Sequence, residues 1–520
     1  MGNSSLESIK NQDKRFDLSL PFILLIIVGL FIFLTESRDG GFTPGGLYSG
    51  VSVHGMTLSQ NLLNKEHPLF MFMNKEINDG KEVYTAYNRF PVFPFLLIGL
   101  LTHPFNGDFT LQVYIARQLM NIFFFLSLII IFKLVIDLTK NRYLALSVVL
   151  LTFSSYYLLF YNNMIFNDIP ALLGFVLAIY VVYKAEKTKL NISNILFYSL
   201  FPVSLGWQPL SVYIIWVLFD SLEILFGKKI PLQKRIRNII KRPSFIIAGI
   251  AVTWGVAILG FQLLNEWSII GGSFKHLPSV NSALWRTGLI SSVGHTQYQW
   301  TFDWSSFLLW QSRSITVMIL PFWPIFQIEP GINASAFLVV SLIIYTFIKY
   351  FKERTSNNKL HLIMILSGLV WAIPMRHFVA LHEFQSIFYI GFAVSIFIRV
   401  VSKLNSKYFK LLAIDLTIFF CVNFALSNHL KVHDSQMNRI AVQFQNIRKL
   451  LPENSKIYFD GDPYKAIKND RYAIDYLLRG YWFTQLDSAD YVVTRNSILN
   501  GKKLTDNPVY NLFKVSRKDP

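Results

Sequence analysis

Long apolar runs separated by short polar segments fill the first 430 residues of the chain. A run of roughly 17–25 apolar residues can cross a bilayer as a helix, and on that criterion about eleven candidate spans are present. They fall near residues 18–34, 111–136, 142–161, 169–183, 192–206, 209–226, 243–264, 335–350, 361–376, 384–400 and 408–427. Two other apolar stretches do not fit as spans. Residues 90–105 are short and carry Pro91, Pro94 and Pro104, and residues 306–324, if they crossed, would move the basic segment 349–359 to the wrong side. Both are expected to lie in the interface or to dip back into the bilayer. After residue 429 the pattern changes to a polar helix-like run up to Leu451, then short strand-like segments Lys456–Asp460 and Asp490–Thr494 around a helical stretch near 466–479. The predicted fold is an all-α polytopic membrane domain over residues 1–429 with a small extracytoplasmic α/β appendage over 430–520.

Charge fixes the orientation. Residues 228–242 hold seven cations and no acid between two apolar runs, and such loops stay cytoplasmic. With the N-terminus inside, the segments 140–142, 184–189, 349–359 and 399–410 join it on the cytoplasmic side, and every one is basic. The C-terminus then falls outside, as do the long loops at about 35–110 and 265–334 and the short ones near 162–168 and 377–383. Composition agrees with a membrane protein: 52% of residues are hydrophobic, 15% are charged, and the mean hydropathy is +0.39. The formal charge of +18 is spread over loops between spans, so orientation explains it and nucleic-acid binding is not expected. The single cysteine, Cys421, lies inside an apolar run and excludes an internal disulfide. A basic N-terminus followed by the run 18–34 resembles a signal peptide, but no small-residue cleavage site follows, which makes it a retained first span.

Carboxylates are scarce near the membrane, and one at a span end is normally retained with a partner or a function. Glu36 and Asp39 follow the first span, and Asp168 opens the fourth in Asn167-Asp168-Ile169-Pro170. Asp39 also suits a turn before Gly40-Gly41, and Asp168 suits a helix cap. Arg117 lies one to two turns into the second span, where a guanidinium either snorkels to the surface or binds an anion such as a lipid phosphate. Arg376, His377, His382 and Glu383 cluster at another outer span end. The five-residue spacing of the histidines does not match a helical zinc pair, and a cationic cluster there suits a phosphate or diphosphate headgroup.

The order of these features resembles the GT-C membrane glycosyltransferases, the class that includes protein O-mannosyltransferases and lipid A aminoarabinose transferases. The matching features are an acid just after span one (Asp39, with Glu36 nearby), a tyrosine-containing stretch at Gly46–Val51, and a proline-rich interfacial segment at Tyr87–Pro94. They continue with Ala116-Arg117 opening span two and Asp168-Ile169-Pro170 after span three. The likeness covers about the first 185 residues by motif, and the rest by architecture only. The chain departs from the class in separating Glu36 from Asp39, and in having Arg89-Phe90-Pro91 where many relatives have His followed by Pro-Pro.

The resemblance implies inverting transfer of a sugar from a polyprenyl-phosphate donor to a glycan, lipid or protein acceptor, in the plasma membrane of a prokaryote. Asp39 or Glu36 would be the base. Arg117, Arg89, Arg376, His377 and His382 would be the candidates to hold the donor phosphate. Asp168 would orient the acceptor or share a divalent cation, Mg or Mn, with Asp39. The alternative is a secondary transporter or lipid flippase, but no inverted repeat and no paired broken spans are visible in the sequence.

Overall fold

The computed structural model describes residues 20–38, 47–78, 81–226, 237, 239–290, 303–320, 332–433, 446–452, 455–460, 482–494, 501–505 and 511–515. Asp39, most of the basic loop 228–242 and the stretch 466–479 lie outside the described residues.

The described part of each apolar stretch singled out in the sequence is largely helical. Helix α1 (Leu20–Leu34) is followed by two helices of the first long loop, α2 (Leu47–Asn61) and α3 (Val92–Thr102). Next come α4 (Phe109–Thr139), α5 (Arg142–Phe153) with its short continuation α6 (Tyr156–Tyr161), α7 (Asp168–Lys187), α8 (Ile192–Leu205), α9 (Pro209–Phe226) and α10 (Pro243–Ile270). The second long loop supplies α11 (Pro278–Arg286) and α12 (Trp304–Ile319), and α13 (Ile332–Glu353), α14 (Ser356–Ala372), α15 (Arg376–Leu381), α16 (Ile390–Val401) and α17 (Phe409–His433) complete the bundle. Among the described residues, six helical segments are long and apolar enough to cross a bilayer: Phe109–Thr139, Asp168–Lys187, Pro243–Ile270, Asn333–Glu353, Glu383–Val401 and Ser406–Lys431. The chain is an integral membrane protein.

Local chemistry sets the breaks between helices. Asp108 caps α4 by accepting from the Leu111 amide, and Lys140 ends it in the left-handed region at φ 57°. Asn141 immediately restarts the chain as α5, its side chain accepting from the amides of Tyr143 and Leu144. The central helix is α7, buried along most of its length from Asp168 to Tyr183.

Polar contacts define the two ends of the bundle. At one end Glu36, Arg117, Asn121 and Asn163 meet. At the other, Lys184 pairs with Asp137, and buried Lys359 pairs with Glu186, Asp220 and Glu223. The short basic loops of the sequence gather at this second end. Helix α12 starts with Trp304 near Arg376 at the first end and runs inward, where Gln311 accepts from the Tyr389 hydroxyl at 2.7 Å and Met318 sulfur lies 3.6 Å from Ser155 Oγ. Of the two placements predicted for 306–324, the described part dips into the bundle and does not lie flat.

Among the described residues the strands form one seven-stranded sheet in the order β2-β1-β4-β3-β5-β7-β6. Strands β1 (Phe72–Asn78) and β2 (Lys81–Ala86) are an antiparallel hairpin from the first long loop. Strands β3 (Lys456–Asp460), β4 (Trp482–Phe483), β5 (Tyr491–Thr494), β6 (Gly501–Lys503) and β7 (Asn511–Val515) come from the C-terminal segment. Lys75 and Lys456 both pair with Trp482, so β4 joins the hairpin in parallel to the C-terminal strands. The hairpin had no counterpart in the sequence reading, and it makes the tail and the first loop a single sheet.

The first loop is also pressed closely onto the bundle. A Cβ on Gly55 of α2 would lie 1.8 Å from the carbonyl oxygen of Ile165, in the segment leading to Asp168, and one on Gly99 of α3 would lie 2.3 Å from the Ser59 carbonyl oxygen. Gly55→Ala must push α2 off that backbone. It is expected to cost about 1–3 kcal/mol of stability, the usual scale for overpacking, read as a lowered thermal unfolding temperature in detergent.

Candidate active site at one end of the bundle

Two arginines share an aromatic pocket where the first and second long loops meet. Arg286, the last residue of α11, is 7% exposed, and its guanidinium carbon lies 4.6 Å from the Phe90 ring centre and 4.2 Å from that of Phe378. Arg89 sits 4.2 Å over the Tyr87 ring. The two cations feel each other: burial first, and then the Arg89 charge, bring the Arg286 pKa down to about 10. Arg286 is the residue that sequence reasoning missed.

The backbone beneath Arg89 is tightly held. Asn88 donates to Glu266 Oε2 at 3.0 Å, and its amide donates to Ser279 Oγ at 3.0 Å. The Trp207 indole donates to the Arg89 carbonyl at 3.0 Å, and Gln262 donates to the Phe90 carbonyl at 2.8 Å. Glu266 also accepts from the Ser279 amide at 3.0 Å. One buried carboxylate thus ties the segment that carries Arg89 to the start of the helix that ends in Arg286.

Asp168 completes the pocket. It lies wholly buried in the first turn of α7, where Asn167 rather than Asp168 takes the N-cap position, and its Oδ1 accepts from Gln385. Its charge acts on Arg286. Asp168 Oδ2, Arg89 Nε and Arg286 Nε are buried without a hydrogen-bond partner among the described residues. Leaving such groups unmade costs roughly 1–3 kcal/mol each, so the pocket is built to receive a polar ligand.

Glu36 and Arg117 form a second cluster at this end. Arg117 Nη1 lies 3.1 Å from Glu36 Oε1, and both side chains are almost completely buried. Glu36 also accepts from Asn121 at 3.0 Å and from Asn163 at 3.0 Å. The Arg117 guanidinium also donates to the carbonyls of Ser37, at 2.5 Å, and Arg38. Arg117 therefore does not snorkel. It grips the backbone that leads to Asp39. Lys431, near the end of α17, donates to Asn162 and Asn428 within the same buried region.

The third group divides. Arg376 donates to the Gly288 carbonyl at 3.1 Å, and the His377 ring packs 6.0 Å from Trp285, its pKa lowered by burial and then by Arg376. His382 is nearer the arginine pocket. Its Nδ1 donates to the Phe378 carbonyl at 2.8 Å, and burial, reinforced by Arg286 and Arg89, pushes its pKa down to about 4. His382 is thus a neutral imidazole that presents the lone pair of Nε2, in place of the expected cation. Glu383 accepts from the Tyr161 hydroxyl at 2.5 Å.

No group of three or more His, Cys, Asp or Glu side chains that could hold a metal is present among the described residues. Of the pair predicted to share a divalent cation, Asp39 lies outside the described residues, and Asp168 Oδ1 accepts from Gln385 while its Oδ2 has no hydrogen-bond partner among the described residues.

No protein-family profile and no curated protein matches this sequence. Solved structures do match its fold. ArnT from Cupriavidus metallidurans bound to undecaprenyl phosphate superposes with a TM-score of 0.56 at 10% identity, covering 95% of this chain and 97% of that one. The same protein in the apo state gives 0.53 at 10% identity with the same coverage. The oligosaccharyltransferase AglB from Archaeoglobus fulgidus, in complex with an inhibitory peptide and a dolichol-phosphate, gives 0.46 at 12% identity over 92% of this chain and 69% of that one, too low to carry an argument. The chain shares the fold of ArnT over nearly its whole length.

Two outcomes test this geometry. Glu266→Ala leaves the Asn88 and Ser279 donors unmet and is expected to cost about 2–4 kcal/mol, read as a lower unfolding temperature. The His382 pKa is depressed on folding, so the neutral form is favoured and stability falls as pH drops from about 6.5 toward about 4. In His382→Gln that part of the pH dependence of thermal unfolding should vanish.

Proposed function

We propose that this protein is a glycosyltransferase that moves a sugar from a polyprenyl-phosphate donor to an acceptor, at the extracytoplasmic end of the bundle. The observation that carries the proposal is buried Arg286 with half-buried Arg89, the Nε atom of each buried and unmet among the described residues, set in an aromatic pocket beside Asp168. Two adjacent cations in a low-dielectric pocket repel each other until a phosphate enters, and guanidiniums grip phosphate oxygens bidentately. The fold supports the same class, since ArnT was solved with undecaprenyl phosphate bound.

The chemistry is a single displacement. A hydroxyl or amine of the acceptor attacks the anomeric carbon, the carbon–oxygen bond to the phosphate breaks, the acceptor proton passes to a carboxylate, and the anomeric configuration inverts. Arg89 and Arg286 stabilise the charge that grows on the departing phosphate. Asp39 is favoured over Glu36 as the base, because Glu36 is consumed by Arg117, Asn121 and Asn163. Glu36 and Arg117 then serve as positioning residues that fix the chain entering Asp39. Asp168, with Oδ2 unmet, and the Nε2 lone pair of His382 suit hydroxyl groups of the sugar or acceptor. The orientation in this reading, with the opposite end of the bundle and the N-terminus in the cytoplasm and the C-terminal segment outside, is supported by the basic loops of the sequence.

The test is turnover of a panel of polyprenyl-phosphate sugars by the purified protein in liposomes. Asp39→Asn should lower transfer at least about a hundredfold, the scale of a lost general base, with donor binding retained. Arg286→Lys should weaken donor binding although charge is kept. If no donor is turned over, yet a labelled donor changes leaflet, the transporter reading replaces this one. An inactive Glu36→Gln beside an active Asp39→Asn would move the base to Glu36.

A further inference from the structure

A second site lies at the opposite end of the bundle. Between the α4–α5 turn, the start of α14 and the α16–α17 connection is an open cavity of about 550 Å³. It is 22 residues along α4 from Arg117, roughly 33 Å at the helical rise, and shares nothing with the arginine pocket. Its polar lining includes Asn141, Asn357, His361, Ser402 and Ser406, with no carboxylate.

His361 indicates what the cavity takes. It is 9% exposed, its Nδ1 lies 2.8 Å from Ser395 Oγ, and its Nε2 has no hydrogen-bond partner among the described residues. Ser395 is completely buried, and this is its one hydrogen bond among the described residues, so the tautomer that satisfies the hydroxyl proton is the one in which a neutral imidazole accepts it at Nδ1. That assigns the ring proton to Nε2. A charged imidazole would carry a proton there as well. In either state His361 offers an unmet N–H donor at a wall of the cavity.

The field around the cavity has the matching sign. Three chain segments turn into helix there: α5, capped by Asn141; α14, capped by Thr355; and the turn capped by Asn405 that leads into α17. Each presents the positive end of its dipole. Exposed Lys140, Lys403 and Lys407 flank lining residues in the chain. The remaining wall is apolar, with Leu138, Leu144 and Phe409.

We infer that this cavity binds the phosphate of an anionic phospholipid from the leaflet at the basic end, with the His361 Nε2–H and the helix amino ends on the phosphate and the apolar wall against the glycerol and upper acyl chains. The apolar wall favours a lipid over a free phosphate, which would leave it wet. The site is separate from donor binding and does not rest on the proposed transfer reaction.

The test is native mass spectrometry of the full chain from detergent titrated with phosphatidylglycerol, phosphatidylcholine or inorganic phosphate. One phosphatidylglycerol should be retained in preference to phosphatidylcholine. His361→Leu, and separately the exposed triple variant Lys140→Gln/Lys403→Gln/Lys407→Gln, should each weaken retention about fivefold or more, near the expected effect of one interfacial lysine or greater. Lys189→Gln on a neighbouring loop should leave it unchanged. Should His361→Leu fail to fold, the triple variant decides. Equal retention of both lipids, or undiminished retention in the variants, overturns the site. Protection from thermal unfolding by millimolar inorganic phosphate, equal to that by phosphatidylglycerol and lost in the same variants, overturns the lipid assignment.

Discussion

The ion pair between Glu36 and Arg117 is the constraint on which the site end of the molecule depends. Both side chains are almost wholly buried, so each charge is tolerable only because the other is present, and removal of one partner of such a pair typically costs about 3–5 kcal/mol. The pair does more than cancel charge. Arg117 belongs to α4, Glu36 follows α1, Asn163 precedes α7, and the same guanidinium holds the carbonyls of Ser37 and Arg38. Three helices and the root of the first loop are thereby fixed at one point. Asp39 begins one residue beyond that anchor.

The arginine pocket is built by a different logic. Its cations are surrounded by aromatic faces, Phe90 and Phe378 for Arg286 and Tyr87 for Arg89, which offer a weak attraction and no hydrogen bond that satisfies Nε. The strong acceptors nearby, such as Glu266, are spent on the backbone below. The charge of the pocket therefore stays available. An Arg89 paired as Arg117 is paired would hold the loop and bind nothing.

The helical framework was legible in the sequence because lipid makes hydropathy the dominant signal, and the described part of each apolar stretch found that way is largely helical. Asp168 was legible because a carboxylate beside a span is rare. Arg286 was not, since it lies in a long loop with no motif, and its meaning comes from Phe90 and Phe378, residues 196 and 92 positions away. The role of Arg117 was half legible: its place near the end of an apolar run allows either snorkelling to the surface or an anionic partner, and only the fold brings Glu36 against it. His382 reads as a cation in sequence and is neutral in the fold because burial and two arginines oppose its charge. The β1–β2 hairpin gave little signal, as its sheet neighbour β4 is two residues long and lies far away in the chain.

That last separation has a consequence for biosynthesis. Strand β1 finds its parallel neighbour at Trp482 and Phe483, about four hundred residues downstream. At the usual pace of translation this interval takes roughly 20–80 s. During it, one edge of the hairpin stays open while the later helices are still being made. Residues Phe72–Asn78 then pair with β2 on one side only, and the open edge on the other side is the kind at which chains associate wrongly. Closure of the outer sheet is therefore among the last events of folding, and the first loop takes its final form only once the end of the polypeptide has arrived.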